Sequence, residues 1–255
     1  MEIFAQIDTW VALLTLTFLE IILGIDNIIF ISIATSKLPK EQQRKGTNIG
    51  LILAMIFRII LLLGVSYLIA MKDPWITINT SWLTTEITGQ SIILILGGIF
   101  LLYKSTSEIH HKVEGITEED AGPKKKASTL SKVIIQIVLI DIVFSFDSVL
   151  TAVGMTNGVE GALIIMITAV VVSMIIMMLF ANPVGQFVNK HPTIQMLALS
   201  FLILIGFMLI TEGAHLANTV IFHQHIGAIP KGYLYFAIAF SLGVEALNMK
   251  IRKKK

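Results

Sequence analysis

Leu19-Glu20-Ile21-Ile22-Leu23-Gly24-Ile25-Asp26-Asn27-Ile28-Ile29-Phe30 and Ile140-Asp141-Ile142-Val143-Phe144-Ser145-Phe146-Asp147-Ser148-Val149-Leu150 are two versions of one stretch. Laid on each other without a gap, they match Glu20 with Asp141, Gly24 with Ser145, Asp26 with Asp147 and Asn27 with Ser148. Each version sets two carboxylates six residues apart, with a small residue between them and a neutral oxygen ligand after the second. Both lie in segments apolar enough to cross a bilayer. An ionised side chain near the bilayer centre costs at least ~2.5–3.5 kcal/mol on insertion scales, so four acids there must be paired, protonated or bound to a cation.

The rest of the chain has the composition of a polytopic membrane protein. Its 255 residues are 55% hydrophobic and 14% charged, with a mean hydropathy of +0.83, too apolar for a soluble domain of this length. There is no cysteine, so disulfides and thiolate metal sites are excluded, and a metal would be held by oxygen with help from imidazole. The first apolar segment is not a cleaved signal, because it lacks a basic n-region and runs from Trp10 to Ala34.

About 20 apolar residues cross the hydrocarbon core, and this length criterion gives seven spans, at 10–34, 48–71, 90–108, 133–156, 160–181, 194–213 and 232–249. A lipid-exposed strand or loop would leave backbone polar groups unsatisfied, so the expected fold class is all-α. Basic residues collect in alternate connections: Lys37, Lys40, Arg44 and Lys45 after span one, Lys112, Lys124, Lys125, Lys126 and Lys132 after span three, and Lys190 after span five. The tail adds Lys250, Arg252 and Lys253 to Lys255. This bias predicts an external amino terminus and a cytoplasmic carboxyl terminus.

A repeat unit of three helices enters the membrane from the opposite side in its second copy, the inverted plan of many secondary transporters. The expectation is a single transmembrane domain with repeat 1 at 10–108, a cytoplasmic linker at 109–132, repeat 2 at 133–213 and an extra helix at 232–249. Spans three and six support the duplication, since Gly98-Ile99-Phe100-Leu101-Leu102 resembles Gly206-Phe207-Met208-Leu209-Ile210. Inversion then predicts two layers, Glu20 with Asp147 on the outer side and Asp26 with Asp141 on the inner side, about 9 Å apart by helix rise. Positions i and i+6 lie about 120° apart around a helix, whereas i and i+7 share a face. The polar face is therefore wide, or the helices break near Gly24 and Ser145; the residues leave both open.

Arg58 in span two is the deeply placed base, and Lys104 in span three lies towards the cytoplasmic end. Glu212 in span six and Glu245 with Asn248 in span seven enlarge the acid excess. We read Arg58, Lys104, Glu212 and Glu245 as counter-ion or gating groups. Carboxylates, an amide and hydroxyls without sulfur suit hard cations such as Mn2+, Mg2+ or Ca2+, and suit protons and Na+ as well. A purely structural role for the same acids is helix–helix glue, with Arg58 and Lys104 neutralising two of them.

Those residues also carry a resemblance. The two acidic motifs, together with Met196-Leu197-Ala198-Leu199-Ser200-Phe201-Leu202 and Pro230-Lys231-Gly232-Tyr233-Leu234-Tyr235-Phe236-Ala237, resemble the motifs of the TerC family of integral membrane proteins in the expected order. The resemblance implies a seven-helix protein of the bacterial inner membrane connected to metal-ion homeostasis, above all Mn2+ export. It carries the family's acidic positions onto Glu20, Asp26, Asp141 and Asp147, to which we add Asn27 and Ser148 as metal ligands. Longer relatives append cytosolic regulatory domains that are not matched here.

The expected function is export of a divalent cation, Mn2+ foremost, by exchange for H+ or Na+. No tightly bound cofactor and no nucleic-acid partner is expected, and the partners are the cation and the lipid bilayer. No Gly-x-x-x-x-Gly-Lys-Ser/Thr motif is present, so direct ATP drive is not expected. Two alternatives are a scaffold of a membrane stress or metal-resistance complex and an intramembrane metal-dependent hydrolase. Neither His-Glu-x-x-His nor Gly-x-Ser-x-Gly occurs, and the chain is read as non-enzymatic.

Other stretches invite plainer readings. His215, His223 and His225 with Glu212 are a candidate outer metal cluster, though a solvated loop accounts for them more simply. His110 and His111, flanked by Glu108 and Glu114, pose the same choice. Glu118, Glu119, Asp120, Gly122, Pro123 and the three lysines read as a linker. Trp10, Trp75 and Trp82 fit interfacial anchors, and Met174, Met177 and Met178 fit packing.

Overall fold

The computed structural model describes residues 7–114, 129–156 and 159–252; within its first helix the side chains of Leu23, Ile25 and Asp26 lie outside the description. The described residues form eight helices: α1 (Ile7–Thr35), α2 (Lys40–Leu63), α3 (Val65–Ala70), α4 (Gly89–Val113), α5 (Leu130–Met155), α6 (Ala162–Lys190), α7 (Pro192–Leu216) and α8 (Lys231–Arg252). Among the described residues, all but α3 are long and apolar enough to cross a membrane, which makes seven spans. The protein is an all-α polytopic membrane protein.

Boundaries shift for local reasons. The second span stops at Gly64, whose N–H returns to Ile60 O at 2.9 Å, and resumes as α3. The fifth continues through Pro183 to Lys190, nine residues past the apolar run. Proline removes one helical donor there and leaves the Leu179 carbonyl without its intrahelical partner. The expected linker is shorter at both ends, because α4 reaches Val113 and α5 starts at Leu130; its acidic and lysine-rich middle lies outside the described residues. At the start of α4, Thr88 accepts from Ser91 N at 3.1 Å and Ser91 Oγ accepts from Thr88 N at 3.0 Å, a reciprocal cap that fixes the first turn.

The connections hold one feature that the apolar pattern does not announce. β1 (Pro74–Asn79), β2 (Leu83–Thr88), β3 (Val220–Ile221) and β4 (Gln224–His225) form an antiparallel sheet in that order. Phe222 and His223, both at positive φ, make the two-residue turn between β3 and β4.

The chain divides into two compact units, each of which takes helices from both expected repeats. The first (1–70 and 126–189) holds α1, α2, α3, α5 and α6; the second (71–125 and 190–255) holds the sheet, α4, α7 and α8.

In the second unit α4 and α7 touch backbone to backbone. A Cβ on Gly98 would lie 2.5 Å from Gly206 O, and one on Gly206 would lie 2.9 Å from Gly98 O. Only glycine allows that approach, as at the small-residue interfaces of membrane helices. In the first unit α1 lies on α6 at Gly24 and Met177 and again at Ser32 and Gly185, while α2 lies on α5 at Gly50 and Ile137. Met174 and Met177 are buried packing residues. Large apolar side chains such as Phe18, Tyr67, Leu179 and Phe236 stay exposed, as a surface facing lipid requires.

Candidate functional site

Three charged side chains that stand far apart in the sequence meet inside the first unit. Arg58, in the last turns of α2, donates from Nη1 to Glu20 Oε2 of α1 and from Nη2 to Asp141 Oδ1 of α5, the latter at 3.1 Å. Its Nε donates to Ser145 Oγ at 3.0 Å. Glu20 is 3% exposed, Arg58 2% and Asp141 4%, so water does not screen the triad and each charge depends on the others. The Ser145 hydroxyl passes its own hydrogen to Asp141 Oδ2 at 3.0 Å and so links guanidinium and carboxylate a second time.

The neutral ligands of the two motifs complete the cluster. Asn27 Nδ2 donates to Asp141 Oδ1 at 3.3 Å, and the Ser148 hydroxyl lies against the Glu20 carboxylate. These two contacts exchange under the register that superposes the motifs. Helix α1 therefore crosses α5 with Asn27 at the level of Asp141 and Glu20 at the level of Ser148, and Arg58 reaches across both levels. Both helices are continuous through Gly24 and Ser145, so of the two options left open above the wide polar face is the one realised. Among the described residues, Asn27 Oδ1 is buried and accepts no hydrogen bond.

A profile of the integral membrane protein TerC family matches residues 5–255. The chain belongs to the TerC family. It is similar to the UPF0053 inner membrane protein YgdQ of Escherichia coli K12, at 46% identity over 97% of this chain and 95% of the relative. A UPF0053 protein of Haemophilus influenzae is 42% identical over 99% of this chain and 98% of its own length. The UPF0053 inner membrane protein YoaE of Escherichia coli K12 is 42% identical over 99% of this chain but is matched over only 45% of itself. No solved structure matches the chain at a significant level.

The remaining acidic positions of this TerC-family chain are placed as follows. Asp26 is in α1, with its side chain outside the description. Asp147 is half-buried on α5, about 120° around the helix from Asp141, and its carbonyl accepts from Thr151 Oγ1 at 2.9 Å.

Lys104, Glu212 and Glu245 belong to the second unit. Lys104 pairs there with Glu108 one turn on, at 3.2 Å. Glu212 is half-buried near the end of α7, and Glu245 of α8 accepts from Thr193 Oγ1 of α7 at 2.6 Å and from Asn248 at 3.4 Å. The histidines do not gather: among the described residues no three His, Asp or Glu side chains come together as a metal-holding group. His215 Nδ1 lies 3.3 Å from Ile226 O, and His110 faces Glu114 at 3.2 Å.

Sequence reasoning named Ser145 only as the small residue between the acids and missed its bonds to Arg58 and Asp141. A hydroxyl one turn after a buried acid was the available signal, since i and i+4 share a helix face.

Proposed function

We propose that this TerC-family chain is an inner-membrane transporter that exports a divalent cation, Mn2+ foremost, in exchange for H+ or Na+. Its amino terminus is then external and its carboxyl terminus cytoplasmic. The names of the relatives support the inner membrane, and the loop charges support the orientation.

The observation that carries this reading is the charge balance of the first unit's core. One guanidinium is shared by Glu20 and Asp141, and no other Lys or Arg lies deep in those spans. The two motifs add Asp26 and Asp147 without adding a base. A hard cation needs carboxylate charge together with neutral oxygen, and Asn27 Oδ1 is such an oxygen beside Asp141. The residues assigned to the cargo are Glu20, Asp26, Asn27, Asp141, Asp147 and Ser148, with Arg58 as the fixed counter-ion. The inner pair Asp26 and Asp141 receives the ion from the cytoplasm, and Glu20 and Asp147 pass it outward.

Each compact unit draws helices from both repeats, so rocking one whole repeat against the other would tear both cores. We place the alternation at α1 and α5 around Arg58 instead. We read the chain as non-enzymatic.

The test neutralises charge while keeping shape. The double variant Asp26→Asn, Asp147→Asn should insert and remain stable, because losing an acid in lipid makes insertion cheaper. Cells carrying it should nevertheless accumulate Mn2+ and become Mn2+-sensitive, like a strain without the protein. Undiminished Mn2+ efflux from a well-expressed double variant would reject the mechanism in which these acids carry the ion and would leave them as helix glue.

A further inference from the structure

Four buried side-chain oxygens among the described residues find no hydrogen-bond partner, those of Thr9, Asn27, Ser32 and Ser105. Three of them are on α1. Asn27 belongs to the acid cluster, but Ser32 lies about 7.5 Å further along the helix axis and is only 5% exposed. Its hydroxyl borders a cavity of about 50 Å3 lined also by Thr35 of α1, Gln43 and Thr47 of α2, and Asn182 and Gly185 of α6. Every one of these residues lies in the first unit. A cavity of that size with several polar partners admits water.

The direction of the hydrogen bonds says what kind of solute fits. Thr35 Oγ1 donates to Ile31 O at 2.8 Å, Thr47 Oγ1 donates to Gln43 O at 3.0 Å, and Gln43 Nε2 donates to Leu38 O at 2.9 Å. Those hydrogens are spent on backbone carbonyls, so the two hydroxyls and the amide oxygen offer lone pairs. Such a lining accepts from water and coordinates cations. The Ser32 hydroxyl and the Asn182 amide can also donate to water, but the one cationic group of the lining, the guanidinium of Arg44, belongs to an exposed residue, so no buried positive charge favours an anion.

Neutral oxygens hold a cation weakly enough to release it, unlike carboxylates, so such a place conducts rather than stores. Gly185 keeps the space open, since a Cβ there would sit 2.8 Å from Ser32 Oγ.

We infer that Ser32, Thr35, Gln43, Thr47 and Asn182 form a wet vestibule through which a divalent cation, stripped of most of its own water, reaches Asn27 from the end of the first unit that bears the α1–α2 turn. The identity of the cargo rests on the function proposed above; the vestibule itself rests on the unclaimed Ser32 oxygen and the orientation of its neighbours.

The chain has no cysteine, which makes accessibility directly readable in the full-length protein. Ser32→Cys and, as a second probe in case that variant fails to fold, Asn182→Cys are exposed in membranes to Ag+, which travels through water and not through hydrocarbon. Thiols left free are then counted with a maleimide after denaturation. The control is Ser173→Cys on α6, a buried serine whose hydroxyl donates to Val170 O at 2.9 Å. Ag+ should block the vestibule thiols about tenfold faster than the control, because water reaches one place and not the other. Adding Gly185→Ala to Ser32→Cys should slow the reaction, and Mn2+ should slow it where choline does not.

Equal rates at the vestibule and the control positions overturn the proposal, and so does Ag+ access that Mn2+ leaves unchanged. Failure of the acids as cargo ligands shows elsewhere, as unchanged efflux in the Asp26→Asn, Asp147→Asn chain, which contains no cysteine.

Discussion

Where α5 packs on α2, Ser145 meets Arg58; where α1 packs on α6, Gly24 meets the sulfur of Met177. Gly24 and Ser145 hold the same place in the two acidic motifs, so Arg58 and Met177 are counterparts. From there the contacts extend in opposite chain directions: Gly50 lies against Ile137 eight residues before Arg58 and Ser145, whereas Ser32 lies against Gly185 eight residues after Gly24 and Met177. At this matched position the difference between the two interfaces is one guanidinium against one thioether. Two arginines for four acids would come closer to a self-neutralised core, held together and closed to ions. With one arginine the acids outnumber the bases, and on the transport proposal a mobile cation balances the remainder. Breaking the symmetry at this position is, on that proposal, what creates the demand for cargo.

The most damaging way to break the comparison is to make the two interfaces alike. Arg58→Met leaves Glu20 and Asp141 buried without their shared cation, and stranding charges of this kind costs about 3–5 kcal/mol. The variant should unfold at clearly lower temperature in detergent and accumulate poorly. Joining it to Glu20→Gln and Asp141→Asn should restore a folded protein, because removing both signs of charge strands neither. A singly substituted Arg58→Met chain as stable as the unmodified protein would show that the triad is not what holds α1, α2 and α5 together.

The glycine clasp of the second unit ranks next. Gly98→Ala puts a methyl group against the Gly206 carbonyl, a backbone atom that has no rotamer to escape into. Overpacking costs about 1–3 kcal/mol, and the thermal transition in detergent should fall accordingly. An unchanged transition would mean that α4 and α7 separate more easily than their contact implies.

How far the molecule was readable depended on how local each signal was. Seven spans followed from apolar length, and the acids announced themselves by standing where charge is expensive. The resemblance between the Gly98 and Gly206 segments spoke for the duplication, but that the two segments touch was not read from it. The sheet was not legible, because Leu83 and Thr84 find their partners Ile221 and Val220 far along the chain and β3 and β4 are two residues each. Spans two and five were too apolar for their counterparts to be matched by eye, so the pairing of Arg58 with Met177 waited for the contacts of Ser145 and Gly24. The vestibule was hidden for another reason: serine and threonine in an apolar helix commonly bond their own carbonyls, and nothing in the letters says that Ser32 does not.

The subtlest comparison lies at the two matched small residues themselves. Ser145→Ala removes a hydroxyl that accepts from Arg58 Nε and donates to Asp141 Oδ2. Unsatisfied buried partners of a lost hydrogen bond cost about 1–3 kcal/mol, and both partners here are charged. Gly24→Ala adds a methyl group where a Cβ would lie 2.2 Å from Met177 Sδ, but a thioether at the end of an unbranched side chain can turn aside. That adjustment should cost about 1 kcal/mol or less, with α1 gaining helix propensity in return. Thermal unfolding should therefore rank Ser145→Ala below Gly24→Ala, and Mn2+ efflux should follow the same order, because only Ser145 orients the counter-ion. The opposite order would mean that close packing of α1 on α6, rather than the fixed charge on α2, sets the geometry of the site.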